Sequence, residues 1–289
     1  MKPAAFKYRR ASCAEEAISL LQFLGEDARC LAGGQSLVPM MNFRIARPSA
    51  LVDLNGCADL NYMTCDEDGL HIGAMTRQRD VELSALVREA CPLVSTMLGH
   101  AGPVTIRQRA TIGGSIANGY PLAEMVAAAI CLDAIMIVEG TDGPQRLAPA
   151  DFFLAAMSTN IEAGSLLREV VFPRRQAGTV YAFRRAGNHA GGATLAMVAA
   201  SAMAEDDGIL GGVSLVASGL DGVPLRLRFV EQAVADGASA HDLADAYRAD
   251  LAAREAPDDN EHMRYVEDVS LSLMSDVVAD LRAQAGLCA

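Results

Sequence analysis

An α+β chain built in three successive parts follows from three features of the 289 residues. Apolar residues at helical spacing alternate with short β-prone runs through the first 170 or so positions. Three β-prone runs then stand together, Tyr181–Arg184, Thr194–Met203 and Gly208–Ser218, and three helical stretches follow them. Finally, two glycine-rich turns, Ala32-Gly33-Gly34-Gln35-Ser36 and Thr111-Ile112-Gly113-Gly114-Ser115, each come after an apolar or β-prone stretch. Glycine lacks a Cβ, so such turns bring backbone against a ligand, and their successive N–H groups form a concave site for anions. A single Gly-Gly is ordinarily only a tight turn. Two of them suit a ligand with a long anionic middle, and a dinucleotide pyrophosphate has that shape.

The elements read in order as follows. Ser12 with Glu15 forms a capping box, and Ala17, Leu20, Leu21 and Leu24 fall at helical spacing before Gly25 ends the helix. Arg29-Cys30-Leu31 is a short strand feeding the first glycine turn. Leu37 to Arg44 is helical, Leu51–Leu54 is a strand, and a first lobe closes near residue 58. The second lobe, 59–176, starts with the strand Leu70–Gly73 and continues through helices at Val81–Glu89 and Pro92–Leu98 to the second glycine turn. Pro121 opens a helix running to Leu132, as proline suits a first turn. Ala134–Val138 and Leu166–Phe172 are strands, and Pro173 ends the lobe. The third part, 177–289, has the three antiparallel strands and helices near Val230–Ala235, Asp242–Arg254 and His262–Arg282, the last two separated by the polar stretch Ala256–Asn260.

Composition excludes several classes. A net charge of −12 without a basic patch argues against nucleic acid as a partner. No apolar run approaches the ~18 residues of a membrane span, and the first residues lack the apolar core of a secretory signal, so a cytoplasmic chain is expected. Seven scattered cysteines with no C-x-x-C pair, and five dispersed histidines, predict neither disulfides nor a metal or iron–sulfur site. There is no G-x-G-x-x-G between a strand and a helix, which sets the chain apart from the Rossmann fold.

The longer segments Leu31-Ala32-Gly33-Gly34-Gln35-Ser36-Leu37-Val38-Pro39 and Arg107-Gln108-Arg109-Ala110-Thr111-Ile112-Gly113-Gly114-Ser115-Ile116-Ala117-Asn118, with Pro121 to Glu124 beyond, carry a family pattern. In them the chain resembles the FAD-binding medium subunit of the molybdenum hydroxylases, the group of carbon monoxide dehydrogenase and xanthine dehydrogenase. The resemblance implies a two-lobed FAD-binding fold of the PCMH type, followed by a C-terminal domain with a three-stranded antiparallel sheet and helices. It implies FAD, and an electron-transfer role with no catalytic acid or base in this chain. It also implies two partner polypeptides, a small subunit with two [2Fe–2S] clusters and a large molybdopterin subunit, in a heterotrimer that dimerises.

Carried over residue by residue, Ala32 to Ser36 match the loop around the pyrophosphate, flanked by Leu31 and Leu37. Thr111, Gly113, Gly114 and Ser115, flanked by Ala110 and Asn118, match the loop over phosphates and ribityl chain. Glu124 matches an acceptor for ribityl hydroxyls, though a carboxylate in a helix first turn is favourable in its own right. Leu166 and Leu167 match an apolar strand beside the flavin nucleotide, a position that core packing also explains. Arg184 matches a basic residue near the flavin's pyrimidine edge, or is an ordinary solvated charge. Arg44 and Arg47 read as structural cations at a helix end, and Arg107 and Arg109 as anchors of the second loop. The chain departs from the family at Tyr120, at Gly187–Gly192 and in Met263–Asp268. Two rival readings stay open: a stand-alone flavin oxidoreductase on the same fold, and a flavin-free binding or assembly protein.

Overall fold

A computed structural model describes residues 2–187, 194–205, 209–220, 222–254 and 260–286. The first 53 residues form β1 (Lys7–Arg10), α1 (Ala14–Leu24), β2 (Ala28–Leu31), α2 (Leu37–Asn42) and β3 (Ala50–Asp53). The three strands make a parallel sheet in the order β1-β3-β2. Arg10 and Leu31 both stand opposite Asp53, so the carboxyl ends of all three strands share one edge, where the first glycine loop leaves β2. Strand β1 carries no apolar alternation and all four of its residues are exposed, so no sequence pattern announces it. Helix α1 buries Ala14, Ala17, Ile18 and Leu21 on the sheet. Its cap differs from the expected Ser12–Glu15 box. The N-cap is Cys13, and Ser12 turns its N–H and Oγ to Glu16 instead, at 2.8 and 2.5 Å. A carboxylate from outside, Asp59, accepts from the Ala14 N–H at 3.0 Å.

The middle of the chain forms β4 (Met63–Cys65), β5 (Leu70–Gly73), α3 (Gln78–Leu83), α4 (Ala85–Ala90), α5 (Pro92–Leu98), α6 (Val104–Arg107), α7 (Ile112–Asn118) and α8 (Glu124–Cys131). After these come β6 (Ile135–Gly140), β7 (Gly143–Leu147), α9 (Pro149–Phe152), β8 (Phe153–Ala155), β9 (Ser158–Thr159) and β10 (Leu166–Phe172). Five of the strands pair antiparallel in the order β4-β5-β10-β6-β7. One face of this sheet, with Leu70, Ile72, Met136, Val138, Val170 and Phe172, packs into the core shared with α5, α7 and α8. All eight residues of α8 are buried, which is why its apolar run shows no amphipathic stripe. The helix starts at Glu124 rather than at Pro121. Ala123 is the N-cap and donates back to the Tyr120 carbonyl, leaving Pro121 in the preceding turn.

The remainder forms β11 (Thr179–Gly187), β12 (Thr194–Ala204), β13 (Leu210–Ser218), β14 (Leu225–Arg226), α10 (Arg228–Ala235), α11 (Ala240–Ala252) and α12 (Glu261–Gln284). The antiparallel sheet runs β11-β12-β13-β14, with a two-residue fourth strand beyond the three expected. Side chains on β11 alternate. Val180 and Ala182 join the core under α10–α12, while Phe183 enters the core of the middle region together with Met197, Ala199 and Val216. The sheet is therefore covered on both faces. Small residues suit that position, and Ala196, Met197, Val198, Ala199 and Ala200 on β12 are all fully buried. No helix among the described residues is long and apolar enough to cross a membrane.

Candidate functional site

The first glycine loop occupies the carboxyl edge of the parallel sheet, the usual place for a ligand beside parallel strands. Gly34 has φ +73, a conformation that L side chains rarely adopt. Gln35 folds back and donates from Nε2 to the Gly33 carbonyl at 3.1 Å. Among the described residues, nothing accepts a hydrogen bond from the backbone N–H groups of Ala32, Gly33, Gly34, Gln35 and Ser36. Five successive donors with no protein acceptor form a cradle for an anion, and a diphosphate has enough oxygens to satisfy them.

The second loop is built differently. Residues 74–78 run beside it: Gly113 donates to Ala74 O at 3.0 Å, Ile112 to Thr76 O at 3.0 Å, and Gln78 to Ala110 O at 2.9 Å. Thr111 caps α7, its side chain accepting from Gly114 N at 3.0 Å, while Ser115 N donates to the Thr111 carbonyl. The amides of residues 112–115 are thus already used inside the protein. The expectation that both glycine turns present N–H groups to an anion is corrected here, because in the second turn those groups secure the loop. Its glycines serve packing: a Cβ on Gly113 would overlap Ala74, and one on Gly114 would lie 2.8 Å from the Thr111 hydroxyl. Thr111 and Gly113 are buried, and Ser115 and Asn118 are half-buried beside the open side of the helix.

The two loops touch. A Cβ on Gly33 would overlap the Arg109 carbonyl oxygen and sit 2.8 Å from the Ala110 Cα. Behind the contact lies a network that sequence reading missed. Asn55 Nδ2 donates to Ala32 O at 3.0 Å, and Asn55 Oδ1 accepts from Arg77 at 2.6 Å. Arg77 also donates to Arg109 O at 2.5 Å. Asp53 accepts from the Asn55 backbone and side chain at 2.9 and 2.5 Å and from Tyr8 Oη at 2.5 Å. Burial alone would raise the Asp53 carboxyl, but the bonds from Tyr8 and Asn55 hold it below its ordinary value. Burial, and then the charge of Arg109, lower the Arg77 guanidinium. The one available signal was Asp53-Leu54-Asn55, polar groups at the carboxyl end of a parallel strand.

Glu124 is 8% exposed, and burial pushes its carboxyl above the ordinary value of 4.5, opposed in part by the charge of Arg185 and a hydrogen bond with Thr194. It therefore lies where α8 meets the C-terminal sheet. Arg184 does not share that place. It is on the other face of β11 from Arg185, where it pairs with Asp280 of α12 at 2.6 Å. Arg185, one residue on, faces Glu124 and donates to His100 O at 2.7 Å. Leu166 and Leu167 are both buried in the core. Their side chains point to opposite sides of β10, Leu166 into the core of the N-terminal region and Leu167 into that of the middle region. Arg107 is a buried anchor, donating to Glu82 at 2.8 and 3.1 Å and to Gly102 O at 2.5 Å. Arg44 and Arg47 bond to Lys2 O and Arg44 O near the end of α2. Tyr120 is 47% exposed. Of the divergent Gly187–Gly192 segment, Asn188 to Gly192 lie outside the described residues.

Comparison with known proteins places this geometry. Residues 4–175 match the family described as the FAD binding domain in molybdopterin dehydrogenase. Caffeine dehydrogenase subunit beta from Pseudomonas sp. (strain CBB1) is 36% identical over 60% of this chain and 59% of its own length. The carbon monoxide dehydrogenase medium chain of Hydrogenophaga pseudoflava is 37% identical over 64% of each chain. The present chain thus spans about three fifths of each of these two relatives. In three dimensions the likeness extends over the whole chain. A chain from the solved carbon monoxide dehydrogenase of H. pseudoflava superposes with a TM-score of 0.91 at 28% identity, covering all of both chains.

Proposed function

The chain belongs to the family of FAD-binding domains of molybdopterin dehydrogenases, and on that premise we propose that it is the electron-transferring flavin subunit of a molybdenum hydroxylase complex. One observation carries the reading: five unpartnered amides in the Ala32–Ser36 loop, pressed against a second loop whose own amides are satisfied. A dinucleotide held by its diphosphate fits that arrangement. FAD supplies the ability to take up electrons singly and release them in pairs. The chain's own residues bind and orient it: the first loop donates to the diphosphate, the second closes the opposite side, and Glu124 with Arg185 meets the more distal part. The names subunit beta and medium chain belong to parts of larger assemblies. By extension, this chain receives electrons from the [2Fe–2S] clusters of a small partner subunit, while a large molybdopterin subunit oxidises the substrate. In this reading two lobes, divided near residue 58, bind the cofactor, and a C-terminal domain begins near residue 177.

The test is the visible spectrum of the purified chain, with the released flavin identified by chromatography. Bands of an oxidised flavin, with FAD at about one per chain, are the expected result. A colourless chain that fails to take up added FAD overturns the reading.

A further inference from the structure

We propose that Asn55 and Arg77 are positioning residues that clamp the two glycine loops together and turn the Ala32–Gly33 peptide so that its N–H faces the diphosphate. This rests on the FAD reading above. The described residues contain no cis peptide. In a trans peptide the carbonyl and the following N–H point in opposite directions. Asn55 Nδ2 holds the Ala32 carbonyl at 3.0 Å, so the Gly33 N–H is turned to the side away from Asn55. Released, that peptide can rotate and aim a carbonyl oxygen at the diphosphate, which replaces a donor with a repulsive dipole.

The asparagine has little freedom of its own. Its backbone N–H and Nδ2 both donate to Asp53, and its Oδ1 accepts from Arg77 at 2.6 Å. A carboxylate and a carbonyl on one side and a guanidinium on the other leave only one assignment of the amide oxygen and nitrogen. Arg77 completes the circuit by donating to the Arg109 carbonyl at 2.5 Å. One carbonyl of each loop is therefore held by one side chain, and the two side chains hold each other. The guanidinium fork suits this work, because two N–H groups at fixed separation reach two acceptors; a lysine amine has a single nitrogen. The clamp has no slack, since Gly33 already rests on the backbone of Arg109 and Ala110. Arg77 is itself anchored by a β-bridge to Thr111.

The test uses the full chain, stripped of flavin, and measures dissociation constants for FAD and for ADP, which has the diphosphate without the flavin ring. Asn55→Leu and Arg77→Lys are each expected to weaken both ligands at least tenfold and by similar factors. The 31P resonances of bound FAD are expected to shift in Arg77→Lys, with the visible flavin band unmoved; a general loosening of the fold would move both. Arg77→Lys keeps the charge and most of the bulk, so it serves even where Asn55→Leu fails to fold. FAD binding by Arg77→Lys within twofold of wild type, combined with weakening by Arg77→Met, would assign the effect to charge and overturn the clamp. Unchanged affinity in both Asn55→Leu and Arg77→Lys overturns it too. A wild-type chain that binds neither FAD nor ADP overturns the FAD reading itself, and the clamp with it.

Discussion

A step of one residue along β11 decides which arginine meets Glu124. Successive side chains on a strand face opposite sides, so Arg184 points to α12 and Asp280 while Arg185 points to Glu124. The two arginines are adjacent in Phe183-Arg184-Arg185, and their residue type does not distinguish them. What does distinguish them is the register of Phe183, which is buried toward the middle region and carries Arg185 to its own side of the sheet. Glu124, on the receiving side, gives a prediction whose sign is fixed by its burial. Its folded carboxyl titrates above the ordinary 4.5, chiefly through desolvation, so between those two values the folded chain binds more protons than the unfolded one. Stability of the flavin-free chain is therefore lost as pH rises from 4.5 through the folded value. Glu124→Gln keeps a partner for Thr194 and has no charge to bury. Its melting temperature should exceed that of wild type at pH 7, and the gap should close as pH falls toward 4.5. A pH series of thermal melts checks this, and parallel curves for the two proteins would contradict it.

At the scale of elements, much of the fold was legible because each signal was local. The strand Leu70–Gly73, the helix Pro92–Leu98 and the strand Leu166–Phe172 have the bounds expected from their apolar patterns. The first glycine loop was legible as well, since Gly34 adopts the positive φ its residue type allows, whereas Gly113 and Gly114 are helical residues that permit close packing. What escaped had a distant cause. Strand β1 exists because Lys7–Arg10 pair with Ala50–Asp53, not because of any pattern of its own. The Asn55–Arg77–Arg109 circuit joins residues 22 and 32 positions apart, beyond the reach of any spacing rule. Helix α1 shows the same displacement, because the carboxylate at its amino end comes from Asp59 rather than from the expected box. Removing an N-terminal side-chain cap typically lowers stability by about 1 kcal/mol. Asp59→Ala should do so, seen as a lower denaturation midpoint at unchanged slope, whereas Glu15→Ala should change little. Equal losses from the two variants would restore the local box.

Across the whole molecule, the edge of the recognised family and the edge of the packed core do not coincide. The family match ends at residue 175, after β10. The core of the middle region does not end there. It takes in Phe183, Met197, Ala199 and Val216 from β11, β12 and β13, which lie against α5 and α8. Two further ties cross the same junction. Ser214 Oγ donates to the carbonyl of Cys131 at 2.6 Å, and Arg226 holds both Asp133 oxygens at 2.8 Å. A chain cut after residue 175 keeps both glycine loops, Asn55 and Arg77, yet removes the strands that pack against α5 and α8. Burying one large apolar side chain contributes about 1.5–3 kcal/mol, so exposing several at once removes a large part of a domain's net stability. The fragment 2–175 should therefore be aggregation-prone and bind FAD poorly, despite containing both glycine loops. Adding back residues 176–286 on the same chain should restore both properties. Size-exclusion chromatography and FAD titration of the fragment measure this directly. A monomeric fragment with full FAD affinity would show that the junction is a true domain boundary, and that the shared core is only a contact between two self-sufficient units.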